Sequence, residues 1–139
     1  MTSIRRAVFA RHSNPLSAWS RWVSSPLVVV PFWTRRRSHA VVVAVWMLAN
    51  PVIFPKPAST DAWATRVVLG EELWIQRRPL DAAMIVNVAA ATAALVAVAG
   101  GWRRSTTTAT AGVTVEMVLL LVYWKLMADY YNDAQPVDE

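Results

Sequence analysis

The chain has 139 residues, 55% of them hydrophobic, with a mean hydropathy of +0.32, a formal net charge of +5 and a pI of about 10.4. That length is one domain, and the absence of cysteine removes disulfides, thiolate metal sites and thiol catalysis. The apolar residues are gathered into runs, Ala40 to Phe54, Ala82 to Trp102 and Ala109 to Trp124, whose only strongly polar side chains are Asn50, Asn87 and Glu116.

Helices that are apolar all round need lipid or a large core, and a chain this short cannot supply the core. The expected fold is therefore all-α: a helical integral membrane protein with four membrane helices, the first of them marginal, and a short interfacial helix in the central connection. Arg5, Arg6, Arg11, Arg21, Arg35, Arg36 and Arg37 all precede the first acid, Asp61. Arginines beside apolar spans are topology signals that suit anionic headgroups. Lipid rather than nucleic acid is the partner this pattern predicts, although basic residues interleaved with Trp19, Trp22 and Trp33 have the ingredients for stacking on bases.

Residues 1–15 read as a basic arm, with no apolar stretch placed to make it a cleaved signal. Residues 16–33 form the marginal first helix. Eighteen residues reach about 27 Å, enough to span if Arg21 snorkels, and Pro26 and Pro31 disturb it. An amphipathic helix lying in the interface is the alternative. The second helix takes residues 38–54, with regular structure expected to fail near Ala49 because Asn50 precedes Pro51.

The connection 55–80 carries Pro55 and Pro57 and then a helix at about 61–75, with Asp61 as its expected N-cap. Trp63 and Trp74 lie on one face of that helix and read as interface anchors. The third helix spans 81–102. Ala83, Asn87, Ala90 and Ala94 line one of its faces, small enough to let another helix approach closely. The fourth spans 109–129, and residues 130–139 form an acidic tail, expected to be disordered.

An up-and-down order of four helices brings Arg11 to Pro15 to the same membrane face as Asn50 to Trp74. The stretches RHSNPLSAWSRW, NPVIFPKP and STDAWATRVVLGEELW resemble a family of small prokaryotic integral membrane proteins known only as a domain of unknown function. The resemblance covers residues 11 to 75, implies a multi-pass protein of a prokaryotic plasma membrane, and implies no activity.

Two groups of residues carry candidate chemistry. His12, Asp61, Arg66, Glu71 and Glu72 form a polar cluster at the interface, able in principle to exchange protons or hold a cation. The spacing offers no metal motif, neither His-x-x-x-His nor Glu-x-x-His, so caps and ion pairs are the competing role, and no metal or cofactor is expected. Glu116 is an intramembrane acid, which defaults to a proton or cation path unless it pairs with Arg103, Arg104 or a threonine near the helix start.

No G-x-S-x-G elbow or glycine-rich phosphate loop is present, so an enzyme is disfavoured. The leading expectation is action by helix–helix assembly, as a homo-oligomer or with a partner membrane subunit, through the alanine face of the third helix. A small proton, cation or solute transporter using Glu116 or the His12 cluster is the alternative.

Overall fold

The two longest apolar runs fold as an antiparallel pair, α6 (Ala82–Trp102) and α7 (Thr106–Asp133). Each begins with a side-chain cap: the Asp81 carboxylate accepts the Met84 amide at 3.0 Å, and the Ser105 hydroxyl accepts that of Thr108 at 3.3 Å. Small residues set how closely the pair packs. A Cβ placed on Gly112 would meet the backbone nitrogen of Ala97 at 2.5 Å, and one on Gly100 would run into the backbone of Ala109. The helices thus meet backbone to backbone, with Ala90, Ala93 and Ala97 buried.

The computed structural model describes residues 3–77 and 79–135, which are all helix, turn or irregular chain with no strand. Among them two helices, α6 and α7, and not four, are long and apolar enough to cross a membrane. The expected first helix is broken into α2 (Pro15–Ser24), a 3₁₀ turn (Ser25–Val29) and α3 (Val30–Thr34). Pro26 and Pro31 each sit at the start of a new segment, where a missing N–H costs least. The helix α4 (Arg37–Ile53) is apolar but only 17 residues long.

Two boundaries differ from expectation for local reasons. The helix α4 does not fail at Ala49 but carries Pro51 inside its last turn and ends at Ile53, because its terminal carbonyls find side-chain donors described below. The helix α5 (Trp63–Arg77) starts after Asp61: the Ala62 carbonyl accepts the amides of Thr65 and Arg66, and Asp61 lies exposed outside the helix. The basic arm is itself helical, α1 (Ser3–His12). The acidic tail is helical as far as Asp133, and residues 136–139 lie outside the described residues.

The core gathers at the end of the α6–α7 pair where α5 crosses α7. Val67, Trp74, Ala83, Tyr123, Met127 and Ala128 form one buried cluster, and Ala18, Ala64 and Val68 a second. A Cβ on Gly70 would collide with the Met127 carbonyl, so this crossing also depends on a bare backbone. At the opposite end the Arg35 guanidinium donates to the Trp102 carbonyl at 3.0 Å and lies 4.8 Å from the Trp102 ring centroid. The turns before α4 and before α7 therefore share that end, and both contain an arginine at positive φ, Arg35 at 54° and Arg104 at 55°.

Candidate functional site

Prolines 51, 55 and 57 disrupt the end of α4, and the residues around Asn14 repair it. The Arg11 guanidinium donates to the Val52 carbonyl at 3.3 Å, the Asn14 amide to the Pro55 carbonyl at 3.0 Å, and the Ser17 hydroxyl reaches both oxygens of Asn50. Ser17 and Asn50 are fully buried. Asn50 Nδ2 then donates to Ser20 Oγ at 2.8 Å, and Ser20 Oγ to the Ser17 carbonyl at 3.2 Å.

His12 Nδ1 lies 3.0 Å from Ser17 Oγ. With the Asn50 amide oriented so that its Oδ1 takes the single Ser17 proton, the imidazole is assigned its proton on Nδ1 and donates it to Ser17. Burial, followed by the charge of Arg21, lowers the His12 pKa from 6.5 to about 4. The ring is neutral at pH 7, with its Nε2 lone pair outside this chain of hydrogen bonds.

His12 also forms part of the wall of a cavity of about 590 Å³ bounded by α1, α2, α4, α5, α6 and α7. Each contributing helix presents residues at helical spacing. The helix α2 supplies Ala18, Arg21 and Trp22; α5 supplies Val67, Val68, Glu71 and Ile75; and α7 supplies Glu116, Leu120, Tyr123 and Trp124. Asn87 enters from α6 and Ser25 from the 3₁₀ turn. Most of the wall is aliphatic or aromatic, with the polar groups set into it. Arg21 and Val28 are exposed and mark its rim.

The aromatic part of the wall is braced from behind. Trp124 lies 5.2 Å from Trp19 and 6.0 Å from Trp63 by ring centroids, and Trp19 meets Trp22 edge-on at 5.9 Å. The Trp22 indole donates to the Met117 carbonyl at 3.1 Å, tying α2 to α7. Tyr123 donates to Glu71 Oε1 at 3.2 Å, tying α7 to α5. Burial raises the Glu71 pKa above 4.5, with the Tyr123 hydrogen bond and the Arg21 charge opposing the shift. Among the described residues the sole ion pair is Lys125 with Asp129, so neither Glu71 nor Glu116 has a cationic partner. The Ser25 hydroxyl is buried with no hydrogen-bond partner.

Of the polar cluster read from the sequence, His12 and Glu71 share this cavity and Glu116 joins them. Glu72, one residue on from Glu71, is outside the lining, as a rotation of about 100° per residue requires. Asp61 stands exposed in the loop, and Arg66 is half-buried elsewhere on α5 with its Nε buried and unpartnered.

Trp74 is no surface anchor: it is buried, meets Tyr123 edge-on at 6.0 Å, and donates to Asp81 at 3.0 Å. Trp63 is half-buried in the tryptophan cluster. On α6, Ala83 lies in the core cluster, Ala90 is buried in the pair with α7, Ala94 is half-buried, and Asn87 faces the cavity. Among the described residues no group of three histidine, aspartate or glutamate side chains is placed to hold a metal ion.

Sequence reasoning missed Tyr123, Trp124 and Arg21 as parts of one site. Glu116, Leu120 and Tyr123 recur at i, i+4 and i+7, and Ala18, Trp22 and Ser25 do the same, so both faces were present as spacing. The Ser17–Asn50 contact had no such signal, because each residue reads locally as a turn or cap former.

The chain belongs to the DUF6653 family, described as a family of unknown function, whose model matches residues 3–138. No curated protein and no solved structure matches the chain.

Proposed function

We propose that this is a small helical membrane protein that binds a lipophilic small molecule in the cavity between α2, α5 and α7. The carrying observation is the cavity itself: about 590 Å³, with mainly apolar and aromatic walls into which four different helices bring His12, Glu71, Asn87 and Glu116. Membrane placement is supported by the outer surface, where Leu48, Leu80, Ile85 and Leu95 are each 70% exposed or more. An apolar surface of that extent belongs against lipid. The helices α4 and α2–α3 then complete a four-segment bundle beside α6 and α7, within a prokaryotic plasma membrane.

Binding takes precedence over assembly through α6, because the alanine face that suggested assembly is filled within the chain by α7. The test uses the full chain in nanodiscs, with tryptophan fluorescence followed as tetraphenylphosphonium or tetraphenylborate is added. These two rigid probes have the same shape and opposite charge. Saturable quenching by at least one probe, beyond that of protein-free nanodiscs and lost when Val28→Trp fills the rim, is the expected result. If neither probe quenches saturably, the binding reading fails.

A further inference from the structure

The walls of the cavity also indicate the charge of its occupant, an inference that rests on the binding reading above. Two carboxylates, Glu71 and Glu116, face one cavity with no ion-pair partner among the described residues. Among the described residues an anionic occupant would have only Arg21 to meet it, and Arg21 is exposed at the rim, where water weakens its charge, and already acts on Glu71. A fully neutral occupant would leave Glu116 with no opposite charge among the described residues. Among the described residues a divalent metal lacks a ligand set.

The aromatic faces point the same way. Trp22, Tyr123 and Trp124 line the cavity beside the acids, and aromatic faces attract cations most strongly where water is excluded. The buried, unpartnered Ser25 hydroxyl supplies a further unused polar atom on the wall.

We propose that the cavity takes a lipophilic organic cation, paired with Glu71 and Glu116 and held against Trp22, Tyr123 and Trp124, and that Glu71 releases its proton as the cation enters. In that exchange the Glu71 O–H bond breaks, the proton passes to solvent, and the carboxylate left behind pairs with the incoming charge. The cavity's net charge is the same before and after, so the Glu71 carboxylate is never held bare in the apolar wall. Lining an apolar wall with no ion-pair partner among the described residues, the Glu71 carboxyl holds its proton more strongly than a carboxyl in water does, because burial penalises the charged form. Among the described residues the other charged or titratable groups on the wall are His12 from α1, Arg21 from α2, and Glu116 and Tyr123 from α7. His12 is neutral at pH 7 and does not compete for the cation.

The experiment compares tetraphenylphosphonium with tetraphenylborate on the full chain in nanodiscs, with Glu71→Gln and Glu116→Gln beside the wild type. The phosphonium binds more tightly, each glutamine variant weakens it by about tenfold or more while leaving the borate no weaker, and wild-type phosphonium affinity rises with pH in a way that Glu71→Gln abolishes. Tighter binding of the borate, or unchanged phosphonium affinity in both variants, overturns the cation assignment and leaves the cavity reading standing. A pH-independent wild-type affinity overturns the proton exchange. Absence of saturable binding by either probe overturns the cavity reading and this inference together. Circular dichroism of each variant separates loss of a site from loss of the fold.

Discussion

The Ser17 hydroxyl donates to the side-chain oxygen of Asn50 at 3.0 Å, and both residues are fully buried. This contact joins α2 to the broken end of α4 and passes on to His12 and Ser20. Ser17→Ala leaves Asn50 Oδ1 and the His12 ring N–H without a partner and is expected to cost about 2–3 kcal/mol. Asn50→Leu removes the Oδ1 acceptor of Ser17 and the Nδ2 donor to Ser20 but leaves both hydroxyls a backbone carbonyl, and should cost about 1–2 kcal/mol. The double variant should lose less than the sum, a coupling of about 1 kcal/mol or more, since both remove one network. Unfolding in detergent, followed by circular dichroism, measures all three.

Gly70 and Gly112 test whether backbone contact sets the packing. Alanine at either position drives a Cβ into another helix's backbone, Met127 for Gly70 and Ala97 for Gly112. Backbone cannot swing aside as a long side chain can, so each variant should lose about 2 kcal/mol or more. Ala90→Leu acts at the same interface and should lower the melting temperature without changing the particle mass in detergent. A change in mass with stability intact would restore the α6 face as a surface for association.

The acid response of the protein separates two half-buried groups of opposite sign. His12 has a folded pKa of about 4 against 6.5 in the unfolded chain, so its contribution is fully present above pH 6.5 and is lost as pH falls towards 4. The loss approaches about 3 kcal/mol. Glu71 is raised above 4.5, so stability that is intact below pH 4.5 declines as pH climbs through its folded pKa. Unfolding measured across pH should show a steeper acid limb in wild type than in His12→Gln. It should also show a decline above pH 4.5 that Glu71→Gln removes.

Two arginines hold left-handed backbone, Arg35 at φ 54° and Arg104 at φ 55°. Glycine relieves that conformation, and Arg104→Gly should raise stability by about 0.5–1 kcal/mol after the entropy of the unfolded chain is counted. Arg35→Gly gains the same relief but gives up the hydrogen bond and ring contact to Trp102, so its net change should be near zero. Thermal melts of the two variants in one detergent decide the contrast.

The helical class and the apolar pair were legible because an unbroken apolar run as long as Ala82 to Trp102 satisfies its own backbone hydrogen bonds most simply as a helix. The Asp81 cap follows from a local signal, a carboxylate placed just before an apolar helical run. What the residues around Pro51 concealed was the donor set that lets α4 run to Ile53, because Arg11, Asn14 and Ser17 lie far away in sequence. Asp61 misled in the other direction: it has the chemistry of a cap, but the chain turns into the helix one residue later. For the site, His12, Glu71 and Glu116 stood out as ionisable groups in an apolar chain. Their shared wall depends on how α1, α5 and α7 cross, which periodicity alone does not contain.

The repair of α4 by Arg11, Asn14 and Ser17 has a consequence for the order in which the molecule can form. A helix end whose carbonyls are stranded by proline is unfavourable in any apolar surrounding until those donors arrive. The segment from Arg37 to Phe54 therefore cannot settle by itself, and its final turn closes only when the amino-terminal helices dock. Early and late parts of the first half thus mature as one cooperative unit, while the small-residue pair α6–α7, built from near neighbours in sequence, can assemble independently of it.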